Sequence, residues 1–453
     1  MAITRLDPAT TPFIVRPADD DYDAARAAWN LAVDQRPAGV VPASTVAEVV
    51  HAVRYARDHG LRIAPQTTGH LASALPMLED TLLLRTQLEG GVVVDPGART
   101  ARARAGALAE DVVLAAAEHG LAPLHGSSPD VGVVGYHLGG GVGYYGRTYG
   151  LAANHVVGFD IVTADGLVRR VDAQHDPALF WALRGGGGNF GVVTAIELRL
   201  FEIADAYAGT LFWPIDRAAE IARAWRDWTA TAPEAATTNL RILCLPPLPD
   251  VPEPLRVVPH VAIDGAVLGD EPHGRATIAA LRAIAGCVID TFAQVPAPAV
   301  LRIHGDPEQP VPNVGDHLLL RALPDDALDA FLAVTGPGSG SPLLAAELRH
   351  LGGAFARTPE GAGARGALEG QYALFGVGLP MTPELGEAVH ATLRRLVHDL
   401  APWSTGTIYL NFGERGGSAR HAFAPADFAR LQHVRAAYDP DEVFVASHRI
   451  APA

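Results

Sequence analysis

The stretch that decides the fold is Gly126-Ser-Ser-Pro-Asp-Val-Gly-Val-Val-Gly135, continued by Leu138-Gly-Gly-Gly-Val-Gly143. A second glycine run, Gly185-Gly-Gly-Gly-Asn-Phe-Gly191, follows later in the chain. Runs of glycine are unfavourable inside helices and strands, and they are kept where a backbone must approach a flat or anionic group closely. We interpret both runs as ligand-contacting loops, with flexible turns as the alternative.

Both glycine runs contain the GxGxxG pattern of dinucleotide-binding folds. That fingerprint follows the first strand of a βαβ unit and opens a helix. Here Gly143 is followed by Tyr-Tyr-Gly-Arg-Thr-Tyr-Gly150, which is a poor helix start, and Gly191 opens a predicted strand. The context therefore argues against a Rossmann domain.

A third loop, Pro65-Gln-Thr-Thr-Gly-His70, follows a predicted strand over residues 61–64. A strand that ends in small polar residues and glycine presents consecutive backbone N–H groups, which form a nest suited to a pyrophosphate. His70 closes this nest. From the residues alone, a single histidine at such a place is more often a hydrogen-bonding loop residue than a reactive one.

Helices and strands alternate over residues 40–200. Thr45-x-x-Glu48 is a capping box that begins a helix, and Gly60 ends that helix. Asp165-Gly166 predicts a hairpin between two apolar runs.

The rest of the chain has a different pattern. Residues 205–400 are richer in proline and interleave amphipathic helices with strands, which favours an α+β domain. The last fifty residues predict a strand over 407–412 and a helix that ends near Tyr438.

Composition and charge limit the function. The chain has 453 residues, 35 basic and 50 acidic side chains, a formal net charge of −15 and no lysine. The missing lysine removes phosphate-loop and Schiff-base chemistry, and the acidic balance argues against a nucleic-acid partner. Cys244 and Cys287 are interpreted as small buried hydrophobes rather than a disulfide framework. The histidines show no metal-ligand spacing, so no metal is expected.

Location and assembly are predicted only in outline. The N-terminus has no apolar core of signal-peptide length, and no apolar run approaches the ~20 residues that span a bilayer. We expect a cytoplasmic protein without a membrane partner, present as a monomer or homodimer.

Several segments in a fixed order carry a resemblance to a known family. They are Arg36-Pro-Ala-Gly-Val-Val-Pro42, the loop ending at His70, the three glycine-rich segments, Tyr409-Leu-Asn-Phe412, and Tyr438-Asp-Pro-Asp-Glu-Val-Phe444. In this order they resemble the FAD-dependent oxidases of the berberine bridge enzyme type, in the vanillyl-alcohol-oxidase/PCMH flavoprotein superfamily. The resemblance is most specific over residues 36–200 and 407–450.

The resemblance implies an α+β fold with three parts. Residues 1–204 would form a PCMH-type FAD-binding domain of two α/β subdomains. Residues 205–404 would form a substrate-binding domain with an antiparallel sheet, and residues 405–453 would return to the FAD-binding domain.

The resemblance also implies how FAD is attached. In this family the histidine that closes the first loop bonds through a ring nitrogen to the 8α-methyl group of the flavin, and His70 holds that position. Many members add a bond from a cysteine in a Gly-x-Cys-Pro stretch, where this chain has Ser128. Serine cannot form that thioether, so we expect FAD bound covalently through His70 only.

The other cofactor contacts are carried over by position. Val131 matches the site that controls oxygen access, where a small residue favours an oxidase, and Tyr136 matches the position beside the flavin N1–C2 carbonyl. The remaining residues expected to hold FAD are Gln66, Thr67, Thr68, Gly69, Ser128, Gly132, Gly135, Gly139, Gly140, Gly143, Gly191, Val193 and Asn411.

Flavin oxidation needs a base for the substrate O–H or N–H proton. Tyr409 matches a family position for that base, with a pocket wall as its alternative role. Tyr372 is a second candidate, and Glu369 and Gln371 compete with it. A tyrosine base needs a neighbour that lowers its pKa, for which Arg349 and His350 are candidates.

The predicted function is an FAD oxidase that dehydrogenates an alcohol, amine or related C–H centre of a small organic molecule, either a specialised metabolite or a sugar. Molecular oxygen would reoxidise the flavin and yield hydrogen peroxide. Two alternatives stay open: a dehydrogenase that uses another acceptor, and a non-redox cyclase that uses FAD as a scaffold.

Overall fold

The computed structural model describes residues 13–247, 251–256 and 258–453. The predictions about the extreme N-terminus lie outside these residues. Among the helices described, none combines the length and the apolar character that a bilayer crossing requires.

The first sheet is small and parallel. It has three strands in the order β1-β3-β2, and a helix after β1 returns the chain to β2. The Thr45–Glu48 capping box that begins this helix is present, as predicted. The elements of this part are α1 (Tyr22–Arg26), β1 (Gly39–Ala43), α2 (Val46–Asp58), β2 (Arg62–Gln66) and β3 (Thr81–Thr86).

The second sheet is antiparallel and has five strands in the order β4-β5-β8-β6-β7. The predicted Asp165-Gly166 hairpin joins β6 to β7, with Gly166 at φ +71°. The elements of this part are β4 (Val92–Asp95), β5 (Thr100–Arg104), α3 (Ala109–Ala117), α4 (Val133–Leu138), α5 (Gly146–Tyr149), β6 (Val156–Val162), β7 (Val168–Asp172), α6 (Pro177–Leu183) and β8 (Val192–Arg199).

The third sheet is the largest, with eight antiparallel strands in the order β12-β9-β11-β10-β15-β16-β14 and with β13 paired to β9. Its strands are β9 (Asp205–Pro214), β10 (Ala236–Leu243), β11 (His260–Val267), β12 (Ile289–Asp290), β13 (Ala293–Pro296), β14 (Val314–Leu320), β15 (Ala345–His350) and β16 (Tyr372–Gly378). The helices inserted between them are α7 (Ala218–Thr229), α8 (Glu271–Thr277), α9 (Ala279–Arg282), α10 (Ala297–Val300), α11 (Asp325–Thr335) and α12 (Pro383–Leu400).

The two faces of the large sheet differ. Leu240, Ile263, Leu348 and Leu374 point to one face and form a buried core with α7, α11 and α12. Because side chains alternate along a strand, the intervening residues lie on the other face. That face carries several charged side chains, among them Asp264, Glu347 and Arg349.

The C-terminal segment contains α13 (Pro425–Tyr438) and a two-stranded parallel pair, β17 (Gly417–Ser418) and β18 (His448–Arg449). The predicted strand over residues 407–412 is wrong, because Leu410–Phe412 is a 3-10 turn. Its backbone is held by other groups: the Tyr409 N–H donates to His317 Nε2 at 3.0 Å, and the Ile408 N–H donates to the His421 carbonyl. The alternation of polar and apolar residues predicted strand hydrogen bonds over 407–412, but these backbone groups bond to the two histidines instead.

Candidate cofactor and active site

A cavity of about 270 Å³ opens between the loop after β2, helix α4, the second glycine run and the C-terminal segment. Thirteen of the residues predicted for the site line it: Gln66, Thr67, Thr68, Gly69, His70, Val131, Gly132, Gly135, Tyr136, Gly139, Gly191, Val193 and Asn411. Gly187 and Gly188, in the glycine run interpreted as a ligand-contacting loop, also line it. The residues that the sequence analysis did not assign to the site include Leu71, Ala72, Leu75 and the segment 445–448. Among the described lining residues none is acidic, which suits an anionic ligand.

Glycine is required in the cavity wall for reasons of space. A Cβ on Gly139 would lie 1.4 Å from Asn411 Oδ1, and a Cβ on Gly143 would lie 1.7 Å from the His125 carbonyl oxygen. Gly140 and Gly143 do not line the cavity, although we predicted cofactor contacts for both. Their role in the structure is to let the glycine-rich segment pack closely behind the wall.

The loop after β2 is held from behind by side chains. Gln66 donates to Gln35 at 2.9 Å and accepts from Arg85 at 2.7 Å, while the hydroxyls of Thr67 and Thr86 lie 2.9 Å apart. Gly69 adopts φ +88°, a left-handed conformation that a residue with a side chain rarely adopts. This geometry presents His70 at the edge of the cavity.

His70 is closely surrounded. Its ring stacks on Trp29 with centroids 4.2 Å apart, and Nδ1 lies 2.8 Å from Thr68 Oγ1. Nε2 is buried, has no hydrogen-bond partner within the described ranges and lies 3.5 Å from Asp130 Oδ1. Sequence reasoning did not single out Trp29 or Asp130, although Asp130 stands inside the motif quoted above.

Ser128 lies behind the cavity wall rather than in it. Its hydroxyl is buried and donates to Asp130 Oδ1 at 2.7 Å. Both cysteines, Cys244 and Cys287, are free and belong to the large sheet region. Neither lines the cavity.

Tyr136 crosses from the cavity toward the large sheet. Its hydroxyl is buried and has no hydrogen-bond partner among the described residues. Burial raises the pKa of Tyr136 well above its usual value, the nearby Tyr409 raises it further, and the charge of Arg349 acts in the opposite direction. The phenol is therefore neutral and free to donate to a ligand.

Tyr409, the first predicted base, does not line the cavity: it is buried, and its ring packs beside Gly140 behind the wall. Burial raises its pKa, although backbone N–H groups of Val142 and Gly141 donate to the hydroxyl and Arg349 also favours the ionised form. We expected the pKa of a tyrosine base to be lowered, but the pKa of Tyr409 is raised.

Asn411 joins the C-terminal segment to α4. Its side-chain amide donates to the Tyr136 carbonyl at 2.9 Å. This bond places the segment that contains Tyr409 against the cavity.

The second predicted base lies in the wrong place. Tyr372 faces the helices, where its hydroxyl bonds to Thr229 at 2.6 Å and its ring stacks on His350. Glu369 and Gln371 are exposed. The prediction failed because strand residues alternate, and Tyr372 shares its face with the apolar core.

A buried charged network on the opposite face was missed by sequence reasoning. His304 lies between two carboxylates, with Nδ1 3.1 Å from Asp264 Oδ2 and Nε2 3.0 Å from Glu347 Oε2. Glu347 accepts from Arg349 Nε at 2.7 Å, and Arg241 Nη1 lies 3.1 Å from Asp264 Oδ2. The sequence signal for this network was the pair Glu347 and Arg349, which stand two residues apart in the otherwise largely apolar strand β15.

The network fixes the charges of its members. Burial and the Arg241 charge oppose protonation of His304, but Asp306, Asp264 and Glu347 together raise its pKa to about 9. Burial also opposes ionisation of Glu347, but Arg349 and His304 lower its pKa to about 2. Both residues are therefore charged near neutral pH.

The network reaches the glycine-rich loops through two hydrogen bonds. Tyr144 donates to Asp264 at 2.7 Å, and Ser127 donates to Asp306 at 2.9 Å. Arg349 at its other end lies over the Phe412 ring, 5.0 Å from the centroid. The charged face of the large sheet is thus tied to the cavity wall and to the segment that carries Tyr409.

Two family models match this chain. An FAD binding domain matches residues 37–172, and a berberine and berberine-like domain matches residues 408–451. The chain is therefore an FAD-binding protein with a PCMH-type α+β fold. The second model falls on the C-terminal segment in which the sequence resembles the berberine bridge enzyme type.

Characterised relatives match part of the chain. (R)-6-hydroxynicotine oxidase of Paenarthrobacter nicotinovorans is 36% identical over 201 residues, which cover 44% of each protein. Glucooligosaccharide oxidase of Sarocladium strictum is 31% identical over 230 residues, or 49% of this chain and 46% of the relative. The chain thus spans about half the length of the curated relatives that it matches.

Solved structures match almost the whole fold. The 6-hydroxy-D-nicotine oxidase of Arthrobacter nicotinovorans superposes with a TM-score of 0.81 at 25% identity, covering 97% of this chain and 98% of that one. The wild-type BBE-like 1 protein of Physcomitrella patens reaches a TM-score of 0.84 at 20% identity, covering 97% of both chains. The second likeness concerns the fold alone.

The residues present fit FAD. The cavity wall is built from glycine-rich backbone and small side chains, which admit a flat ring system and a pyrophosphate. The His70 ring adds a polar group at its edge, as does the Tyr136 hydroxyl, which has no hydrogen-bond partner in the part of the chain that the structure describes.

Proposed function

We propose that this protein is an FAD-dependent oxidase that dehydrogenates an alcohol, amine or related C–H centre of a small organic molecule and reduces molecular oxygen to hydrogen peroxide. The observation that carries the proposal is the glycine-walled cavity, whose described lining residues include no acidic side chain and come largely from the matched FAD binding domain. Relatives named as oxidases of 6-hydroxynicotine and of oligosaccharides support the same class of reaction.

The cofactor is held covalently by His70 alone in this proposal. His70 closes the loop at the cavity edge, and Ser128 replaces the cysteine that would supply a second bond. Its backbone neighbours, residues 65–69, would take the pyrophosphate because successive N–H groups bind anions.

When bound, the flavin supplies the hydride acceptor. The chain supplies the rest: Tyr409 accepts the substrate proton, Tyr136 donates to negative charge at the cavity edge, and Val131 leaves space for oxygen. The charged face around Glu347 and Arg349 forms the polar wall against which the substrate is oriented. Both residues are buried on the sheet face that is tied to the Tyr409 segment.

The proposal is tested with a panel of alcohols, amines and sugars, scored by peroxide release and by anaerobic bleaching of the flavin spectrum. An oxidase substrate gives both signals. Bleaching followed by slow reoxidation in air would indicate a dehydrogenase with another acceptor. Substrate conversion without bleaching would indicate the non-redox cyclase.

Covalent attachment is tested separately by acid precipitation. We expect the yellow colour to stay with wild-type protein and to leave with the supernatant in His70→Ala. Peptide mapping should place the flavin mass on the His70 peptide only. An adduct on Cys244 or Cys287, or complete release of flavin from the wild type, would contradict the single link.

A further inference from the structure

We propose that Asp130 is the positioning residue and proton acceptor that prepares His70 for its bond to FAD. This inference rests on the proposed covalent attachment, because it concerns how that bond forms. Nothing in the sequence pattern assigned a role to Asp130, and the inference comes from the contacts that surround its carboxylate.

Two hydrogen-bond donors orient the carboxylate beside the imidazole. Trp29 Nε1 donates to Asp130 Oδ2 at 2.5 Å, and Ser128 Oγ donates to Oδ1 at 2.7 Å. Oδ1 also lies 3.5 Å from His70 Nε2. Trp29 has a double role, since its indole ring stacks on the same imidazole at 4.2 Å. The indole and the carboxylate therefore fix both the plane and the rotation of the ring.

The second ring nitrogen faces a different partner. His70 Nδ1 lies 2.8 Å from Thr68 Oγ1, and a hydroxyl can donate to an imidazole lone pair. With Asp130 facing Nε2, the neutral ring carries its proton on Nε2 and keeps its lone pair on Nδ1. Burial opposes ionisation of Asp130, but contacts with His70, Ser128 and Trp29 outweigh it and keep the pKa of the carboxyl below its usual value. The carboxylate is thus charged and able to take a proton.

The bonds, electrons and protons of the attachment step balance as follows. One C–H bond of the flavin 8α-methyl group and the N–H bond of His70 break, and one C–N bond forms. The electron pair released reduces the flavin and passes to molecular oxygen, which with two protons becomes hydrogen peroxide. Asp130 takes the imidazole proton as the C–N bond forms and then releases it to solvent. Without this acceptor the alkylated ring would retain a positive charge in a half-buried site, which is less favourable than a neutral ring.

The test measures attachment itself. Wild type and Asp130→Asn are purified with FAD, and the fraction of flavin that stays with acid-precipitated protein is followed over time in air. We expect Asp130→Asn to bind FAD non-covalently and to attach it about 10²-fold or more slowly, the range of general acid–base effects. Raising the pH from 7 to 9 should partly restore attachment in Asp130→Asn and change the wild type little. Asp130→Glu should recover most of the rate, because it keeps a carboxylate.

Ser128→Ala is the graded comparison, since it removes a hydrogen bond to the same carboxylate but leaves the charge beside His70. It should slow attachment clearly less than Asp130→Asn does. Equal attachment rates in Asp130→Asn and wild type would overturn the inference. Failure of Asp130→Asn to take up any flavin would overturn it too, by assigning Asp130 to cofactor binding. Wild-type protein without covalent flavin would instead contradict the proposed attachment.

Discussion

Burial and hydrogen bonding act in opposite directions on the pKa of the Tyr409 hydroxyl. Backbone N–H groups of Val142 and Gly141 donate to its oxygen, yet burial dominates and raises its pKa. A neutral phenol must lose its proton before it can act as a base. If Tyr409 is the base, the rate of flavin reduction by substrate should therefore depend on pH.

We expect Tyr409→Phe to slow anaerobic flavin reduction by substrate by ~10²–10⁴. In the wild type the reduction rate should rise with pH from 6 to 10, because more of the phenol is ionised, and the variant should lose this slope. The variant should also lose about 1–3 kcal/mol of unfolding free energy, since two buried N–H groups lose their acceptor. Stopped-flow absorbance and denaturant unfolding measure the two effects.

Tyr372→Phe is the control for this experiment. It removes the same hydroxyl from a tyrosine that faces the helices, so flavin reduction should stay within about threefold of the wild type. A similarly small effect in Tyr409→Phe would assign Tyr409 to the pocket wall. The base would then be sought among the charged residues of β15.

At the element scale, the glycine-rich segment after α4 packs directly against the C-terminal 3-10 turn. Gly139 has φ −87°, a conformation that any residue adopts, so space alone requires glycine there. An added Cβ would lie 1.4 Å from Asn411 Oδ1. Since Asn411 also holds the Tyr136 carbonyl, this contact couples α4 to the segment that carries Tyr409.

We expect Gly139→Ala to lower the free energy of unfolding by about 1–3 kcal/mol, the usual range for overpacking. Asn411 would have to rotate away, so the content of bound flavin should fall as well. The double variant with Asn411→Ala should recover part of the stability. Denaturant unfolding and the flavin-to-protein absorbance ratio measure both effects.

Gly135→Ala provides the matched comparison. It lies in α4, and nothing lies within 4 Å of an added Cβ, so its stability should equal or exceed that of the wild type. Equal destabilisation by both substitutions would show that the contact with Asn411 is not the cause.

At the scale of the whole molecule, the charged network joins segments from distant parts of the chain. His304 is protonated between Asp264 and Glu347, with Asp306 also raising its pKa to about 9 and with burial and Arg241 opposing. Tyr144 and Arg349 border the same group of charges. The stability that these ion pairs contribute therefore depends on the charge of one imidazole.

The sign of this dependence follows from linkage. The pKa of His304 is raised on folding from 6.5 to about 9, so its stabilising contribution is complete below pH 6.5 and is lost as the pH rises through 9. The contribution is up to about 3 kcal/mol. The difference in unfolding free energy between wild type and His304→Gln should therefore shrink between pH 6.5 and 9.

Chemical denaturation at a series of pH values measures this difference. His390→Gln is the control, because His390 is exposed on α12 and its replacement should leave the pH dependence of the wild type unchanged. A constant difference between wild type and His304→Gln over this range would show that the network does not depend on a charged imidazole.

Local patterns were enough for much of the fold and for part of the site. The Thr45–Glu48 capping box and the Asp165-Gly166 hairpin depend on residues close in sequence, and both are present. The loop ending at His70 also lies at the cavity edge. Its glycine was a local signal, but contacts of Gln66 with Gln35 and Arg85 hold the loop in place. Family resemblance then supplied FAD, which no local pattern could name.

Only the tertiary structure decided which side chains share the site. The network collects residues from β10, β11, β15 and a distant loop, and Asp130 meets Trp29 across a large separation in sequence. The same folding turned Tyr372 toward the helices and replaced the expected strand at 407–412 with a turn held by His317. The periodicity of a sequence shows which face of a helix or strand is apolar. The partner of a buried charge depends on which helices and strands come together, and long-range packing alone determines which of them do.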